Sequence, residues 1–335
     1  MRRVLSNAAS ACALAAFSLS LPLVTQAQTG TATYRSESHL LQTVTPTRDQ
    51  LYAGTGLSNP AVTIAGTLSL PVTSADRVPA VLLLHGDAGQ LGNQTVWTER
   101  LNALGIAVFN LDSFSARGDV ATGPAIASMP ESIGGAYRIV DAERALALLA
   151  AHPRIDPSRI AVMGFSSGAR TVILASQTRF ANAYGTPTLQ FSAFIALYPP
   201  CNVQLLDEAR TQPGPLRIFI GEADLVTTAQ SCVRFVARLR AAGVDASVQT
   251  FPEAAHGFDN SNPQMTRLPG FPSAGNCNLQ ETRPGTVVNA DTGRPLADGD
   301  ACLSKGLLAG RNDAADTATA AAVRALLIER FELAP

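Results

Sequence analysis

At 335 residues the chain suits one large α/β domain or two small ones. Its 25 basic and 26 acidic residues nearly cancel. No basic stripe offers a nucleic-acid surface, and no acidic tail offers a solvating segment.

The first residues, "MRRVLSNAASACALAAFSLSLPLVTQAQTG", read as a secretory signal. Arg2 and Arg3 form a basic start, a short apolar run follows, and Thr25-Gln26-Ala27 is a small-residue cleavage site. The run is too short and too rich in serine for a good membrane span, so cleavage after about Ala27 outweighs an uncleaved anchor. Cys12 comes too early for a lipoprotein signal. No later segment is long and apolar enough to cross a bilayer, so no membrane contact is expected once the signal is gone. Residues 28–60 read as an N-terminal extension with one or two strands, and residues 61–335 as the main domain.

From Ala61 the pattern is regular. "AVTIAGTLSLP" alternates as a half-exposed strand does. "VPAVLLLHG" and "IAVFNLDSF" are continuous apolar runs, as in strands buried on both faces, with a helix near Trp97–Leu104 between them. Ile139, Ala142, Leu146 and Leu149 recur at helical spacing. "RIAVMGFSSG", "FSAFIALYPP", "GPLRIFIGEAD" and "DASVQTFPEAAHGFD" supply further strands, with a helix at about Thr228–Ala242. A last helix runs from about Asp313 to Phe331. Strands alternating with helices predict right-handed crossovers and a mostly parallel central sheet with helices on both faces. Residues 260–310 fall outside this pattern. They are rich in Gly, Pro and Asn, and so long a loop is often functional or covering.

Four cysteines follow the signal: Cys201, Cys232, Cys277 and Cys302. An even count in an exported chain predicts disulfides, and chain proximity favours 201–232 and 277–302 over the other pairings. The second bridge would staple the 260–310 segment. Neither C-x-x-C nor clustered histidine is present, so no metal is expected.

"GFSSG" at 164–168 matches G-x-S-x-G between a strand and a helix. At such an elbow the central serine, Ser166, projects its hydroxyl above the sheet edge as a nucleophile. The plainer alternative is a serine-rich helix cap. Ser167 would lend its main-chain N–H to the oxyanion hole, leaving its hydroxyl optional. A serine needs a base. His39, His85 and His152 lie before or within the early part of the fold, whereas His256 follows the last strand of the sheet, where this arrangement puts its base. The carboxylate that orients His256 is Asp224, one strand earlier, with Glu222 as runner-up. Asp259 reads as a local cap, and Asp112 is out of order. The second oxyanion donor is expected at the N–H of Asp87 or Ala88, in "LLLHGDAG".

These pieces, with "NLDSFSARG", "GEADLVT" and "AAHGFDN", resemble the α/β-hydrolase fold and, within it, exported members of the dienelactone hydrolase-like family. "LDSFSARG" resembles a loop that borders the active site in those members, and Cys201 and Cys232 resemble a bridge found there. Two departures stand out. Ser166 occupies the place of the family's cysteine nucleophile, and 260–310 is an insertion. Arg117 could hold a substrate carboxylate or form an internal salt bridge to Asp112. Phe114, Phe165, Tyr198 and Phe258 could line an acyl or aryl pocket or simply pack the core.

The expectation is an exported serine hydrolase, periplasmic or secreted. It would cleave small-molecule carboxylic esters or lactones through an acyl-enzyme, with no cofactor. The rivals are a serine peptidase of the same fold and a catalytically silent fold used for binding.

Overall fold

All seven residues of Val78–Leu84 are buried. They form β3, near the middle of an eight-stranded sheet. A strand paired on both edges and covered on both faces has no wet side, so its sequence has no reason to alternate. The structure, a computed structural model, describes residues 34–117, 137–262 and 264–334. The expected signal peptide at 1–27 lies outside the described residues.

In sheet order the strands are β1 (Tyr34–Val44), β2 (Ala61–Pro71), β4 (Ala107–Asp112), β3, β5 (Ile155–Phe165), β6 (Phe194–Leu197), β8 (Leu216–Gly221) and β9 (Ala246–Phe251). Pairings from β4 to β9 are parallel, while β1–β2 and β2–β4 are antiparallel. Helices α2 (Gly92–Asn102), α3 (Arg138–Ala151), α4 (Ser167–Ala175) and α6 (Ala229–Ala241) connect the parallel strands and pack on them. Two short helices, α1 (Arg48–Tyr52) and α5 (Thr178–Tyr184), lie between. This is the mostly parallel sheet the sequence predicts. The described part of the 28–60 segment is no separate appendage, because β1 extends the sheet along the whole length of β2.

The final helix α7 (Asp313–Phe331) starts at Asn312, whose side chain accepts the Ala315 N–H, with Asp313 and Asp316 in its first turn. Both features favour a helix start. Asp316 also accepts two hydrogen bonds at 2.7 Å from Arg100 of α2, which pins α7 to the domain.

The 260–310 region is not the structureless loop its composition suggests. It contains β10 (Thr266–Ser273), β11 (Leu279–Arg283), β12 (Thr286–Asn289) and β13 (Ser304–Ala309). β10 pairs with β13, and β12–β11 continue onto the two-residue β7 (Val203–Gln204). The strands are short, interrupted by Pro and Gly, and shifted in register at both hairpins. That breaks the period on which a sequence reading relies. Cys277–Cys302 bridges this region, and Cys201–Cys232 bridges the β6–β7 loop to α6. Both pairs are those expected from spacing.

Candidate active site

Ser166 sits between the end of β5 and the start of α4 with φ 53° and ψ −117°. Few side chains tolerate positive φ, so the packing around the turn must hold it there. The two flanking glycines explain how the strand and helix come so close. A Cβ on Gly164 would stand 2.4 Å from the Gly168 carbonyl oxygen, and one on Gly168 would stand 2.2 Å from that of Leu84. Any side chain there would push α4 off the sheet.

The structure brings Ser166, His256 and Asp224 together from three separate strand ends. Ser166 Oγ lies 3.0 Å from His256 Nε2. His256 Nδ1 lies 2.7 Å from Asp224 Oδ2. The Asp224 side chain is fully buried. Its Oδ1 accepts the backbone N–H groups of Val226 and Thr227, and its Oδ2 accepts the Thr227 hydroxyl. Those three donors fix the carboxylate in one orientation. Glu222, the runner-up, is exposed and accepts instead from the Thr250 hydroxyl. Burial pulls His256 down, but the charge of Asp224 and its hydrogen bond outweigh it, with Asp87 and Asp259 adding to the pull, so the net shift is upward from 6.5.

The backbone of His256 is held on both sides. Its N–H donates to the Leu308 carbonyl in β13, and its carbonyl accepts from Gly310 N–H. The ring meets the edge of Tyr198 at a centroid distance of 4.8 Å. Tyr198 itself has φ 43°, and its hydroxyl donates to Asp259 at 2.7 Å. Asp259 is no mere local cap. It is buried and also accepts from Trp97 Nε1 and Asn93 Nδ2, while burial drives its carboxyl above the usual carboxylate range. Asp259, three residues after His256, thus props the tyrosine against which the imidazole leans. Sequence spacing could not show this, because Trp97, Tyr198 and Asp259 are far apart in the chain.

Two proposed substrate contacts take other roles. Arg117 has its side chain only 5% exposed. It does not pair with Asp112. Its two terminal nitrogens donate to Asp141 of α3 at 2.9 Å each, and its other donors reach Thr45, Ser113 and Val44. With the whole fork engaged, no donor remains for a ligand. Asp112 instead accepts the N–H groups of Phe114 and Ser115, shaping their turn. Phe165, 2% exposed, is buried against Tyr198 and belongs to the core. Phe258 is likewise fully buried.

In the "HGDAG" loop His85 is buried, and its Nδ1 donates to the Gly86 carbonyl while its Nε2 accepts Ser113 N–H. Burial, helped by the charge of Arg138, pushes His85 down to about 3, so it is a neutral strut for the loop. A Cβ on Gly86 would meet Ser166 Cβ at 3.3 Å, which places the start of this loop directly beside the serine. Asp87 and Ala88 follow at once. Beneath the loop lies Arg138, fully buried, donating to the His85 carbonyl at 2.5 Å and to Ser167 Oγ at 3.2 Å. Sequence reading overlooked it, since it stood as one polar residue at a helix start.

Among the described residues only Glu37, His39 and His152 group their ligand-type atoms, all within 4.8 Å of one another. His152 Nδ1 accepts Arg154 N–H, so the ring proton sits on Nε2 and points at Glu37, 3.1 Å away. That tautomer suits a hydrogen bond and disfavours metal ligation through Nε2.

The sequence profile of the dienelactone hydrolase family matches residues 64–275. The chain belongs to this family. Membership makes it a hydrolase, and the matched span holds Ser166, Asp224 and His256. Among solved structures, a dienelactone hydrolase-like promiscuous phosphotriesterase from metagenomic libraries has a TM-score of 0.57 at 18% identity, covering 88% of this chain and 99% of its own. Esterase 2 of Thermogutta terrifontis, phosphoramylated by tabun, has a TM-score of 0.53 at 18% identity, covering 82% and 92%. At such identities the likeness is one of fold. No curated protein matches the sequence. The two bonded cysteine pairs point to an oxidising compartment. No described helix is long and apolar enough to cross a membrane.

Proposed function

We propose that the protein is an exported serine hydrolase that cleaves carboxylic esters or lactones through an acyl-enzyme. The observation that carries this reading is the unbroken chain Ser166 Oγ, His256 Nε2, His256 Nδ1, Asp224 Oδ2, with contacts of 3.0 and 2.7 Å. Ser166 attacks the ester carbonyl as His256 Nε2 takes its proton. Asp224 holds the Nδ1–H tautomer and stabilises the imidazolium. His256 returns the proton to the leaving alcohol, and water then attacks the acyl-enzyme by the same route in reverse. The oxyanion is held by Ser167 N–H, at the positive end of α4, and by the N–H of Asp87 or Ala88. The reading draws further support from the family and from structural neighbours that include an esterase and a phosphotriesterase.

Ser166→Ala tests this. The variant is expected to lose hydrolysis of p-nitrophenyl acetate while its circular dichroism and melting temperature stay those of the parent. Full retained hydrolysis rejects the assignment.

A further inference from the structure

Arg138 differs from two arginines that tie other parts of the domain together. Arg117 meets Asp141 through two parallel hydrogen bonds, and Arg100 meets Asp316 in the same way. Those pairs cancel charge and fix structure. Arg138 is 0% exposed, yet no carboxylate lies within ion-pair distance of it among the described residues. Its acceptors are neutral: the His85 carbonyl and the Ser167 hydroxyl. Its Nε has no partner, and its guanidinium carbon lies 5.0 Å over the Phe114 ring. Asp87 acts on it only through space. A buried cation without a paired anion is costly, and a fold that needed only packing there is better served by an apolar side chain.

The two acceptors belong to the two halves of the proposed oxyanion hole. His85 opens the loop that presents Asp87 and Ala88. Ser167 is the residue whose N–H follows the nucleophile. One guanidinium therefore spans both, and its charge lies behind the point where negative charge develops. Water-poor surroundings make such a fixed charge effective.

We propose that Arg138 is a positioning residue that clamps the two oxyanion-hole segments to each other, using the Ser167 hydroxyl as its grip on α4. This rests on the esterase reading above. It also gives the second serine of "GFSSG" a use: its hydroxyl accepts from Arg138 while its main-chain N–H faces the substrate.

The test compares the full-length protein with Ser167→Ala and Arg138→Lys. Each is titrated to completion with a fluorophosphonate probe, and kcat is expressed per labelled Ser166. In Ser167→Ala, kcat per labelled site is expected to fall about tenfold, less than for loss of a direct oxyanion donor. KM should stay within about twofold, as for an interaction made only in the transition state. Affinity for a trifluoromethyl ketone, which mimics the tetrahedral intermediate, should fall by the same factor as kcat/KM. A merely structural arginine would lower the labelled fraction and leave kcat per site and inhibitor affinity untouched; that result overturns the clamp. If Arg138→Lys does not fold, Ser167→Ala decides alone. If parent Ser166 is not labelled at all, the esterase reading has failed, which is a different outcome from a labelled parent with indifferent variants.

Discussion

His256 stands between opposing influences. Burial disfavours its charged form, while Asp224, Asp87 and Asp259 favour it, and the balance lies above 6.5. A base must be neutral to accept the serine proton, so kcat/KM should rise with pH through a midpoint above 6.5 and level off beyond it. A pH–rate profile on an uncharged ester measures this. A plateau already complete below that value contradicts the electrostatics described. At this scale the sequence was informative about Ser166, Asp224 and His256, because chain order and the strand ends that carry them constrain the choice. It was uninformative about arginines. Arg117 reads as a partner for a substrate carboxylate or Asp112, and Arg138 as one polar residue at a helix start, yet Arg117 meets Asp141 and Arg138 meets no carboxylate among the described residues. Only the fold decides which carboxylate an arginine can reach.

Among the elements, β13 has the greatest effect relative to how faint it is in sequence. "SKGLLA" is too short and irregular to declare itself, yet it supplies the carbonyl that receives His256 N–H. β10 pairs along it, and Cys277–Cys302 closes the chain between them with 25 residues of separation. Removing that bridge as Cys277→Ser with Cys302→Ser should cost about 3 kcal/mol from the freed loop in the unfolded state. Urea unfolding reads that loss. Because β13 braces the base, kcat should fall in the same variant under conditions where it remains folded. Unchanged kcat would separate the staple from the chemistry. The central strands β3, β5, β6 and β8 posed no such difficulty, since their apolar runs are visible without a structure.

For the molecule as a whole, one buried carboxyl outside the site ties stability to pH. Glu143 of α3 is buried, its Oε1 has no hydrogen-bond partner, and burial pushes its carboxyl up to about 8. The unfolded chain releases this proton near the ordinary value of 4.5, while the folded protein keeps it to about 8. Glu143 therefore favours the folded state most below 4.5, and that contribution drains away as pH rises until it is spent past about 8. The melting temperature of Glu143→Gln should lose less than that of the parent across this interval. Parallel slopes for the two proteins would show that the carboxyl is not the source.

The main-chain grip on residue 256 has a consequence for how this protein can be shortened. The family-matching span ends at residue 275, before β13 begins. Trimming the gene to that span would leave Ser166, Asp224 and His256 encoded and discard the backbone on which His256 is moored. The strand beyond the matched span is thus structural ground for the site, not ornament.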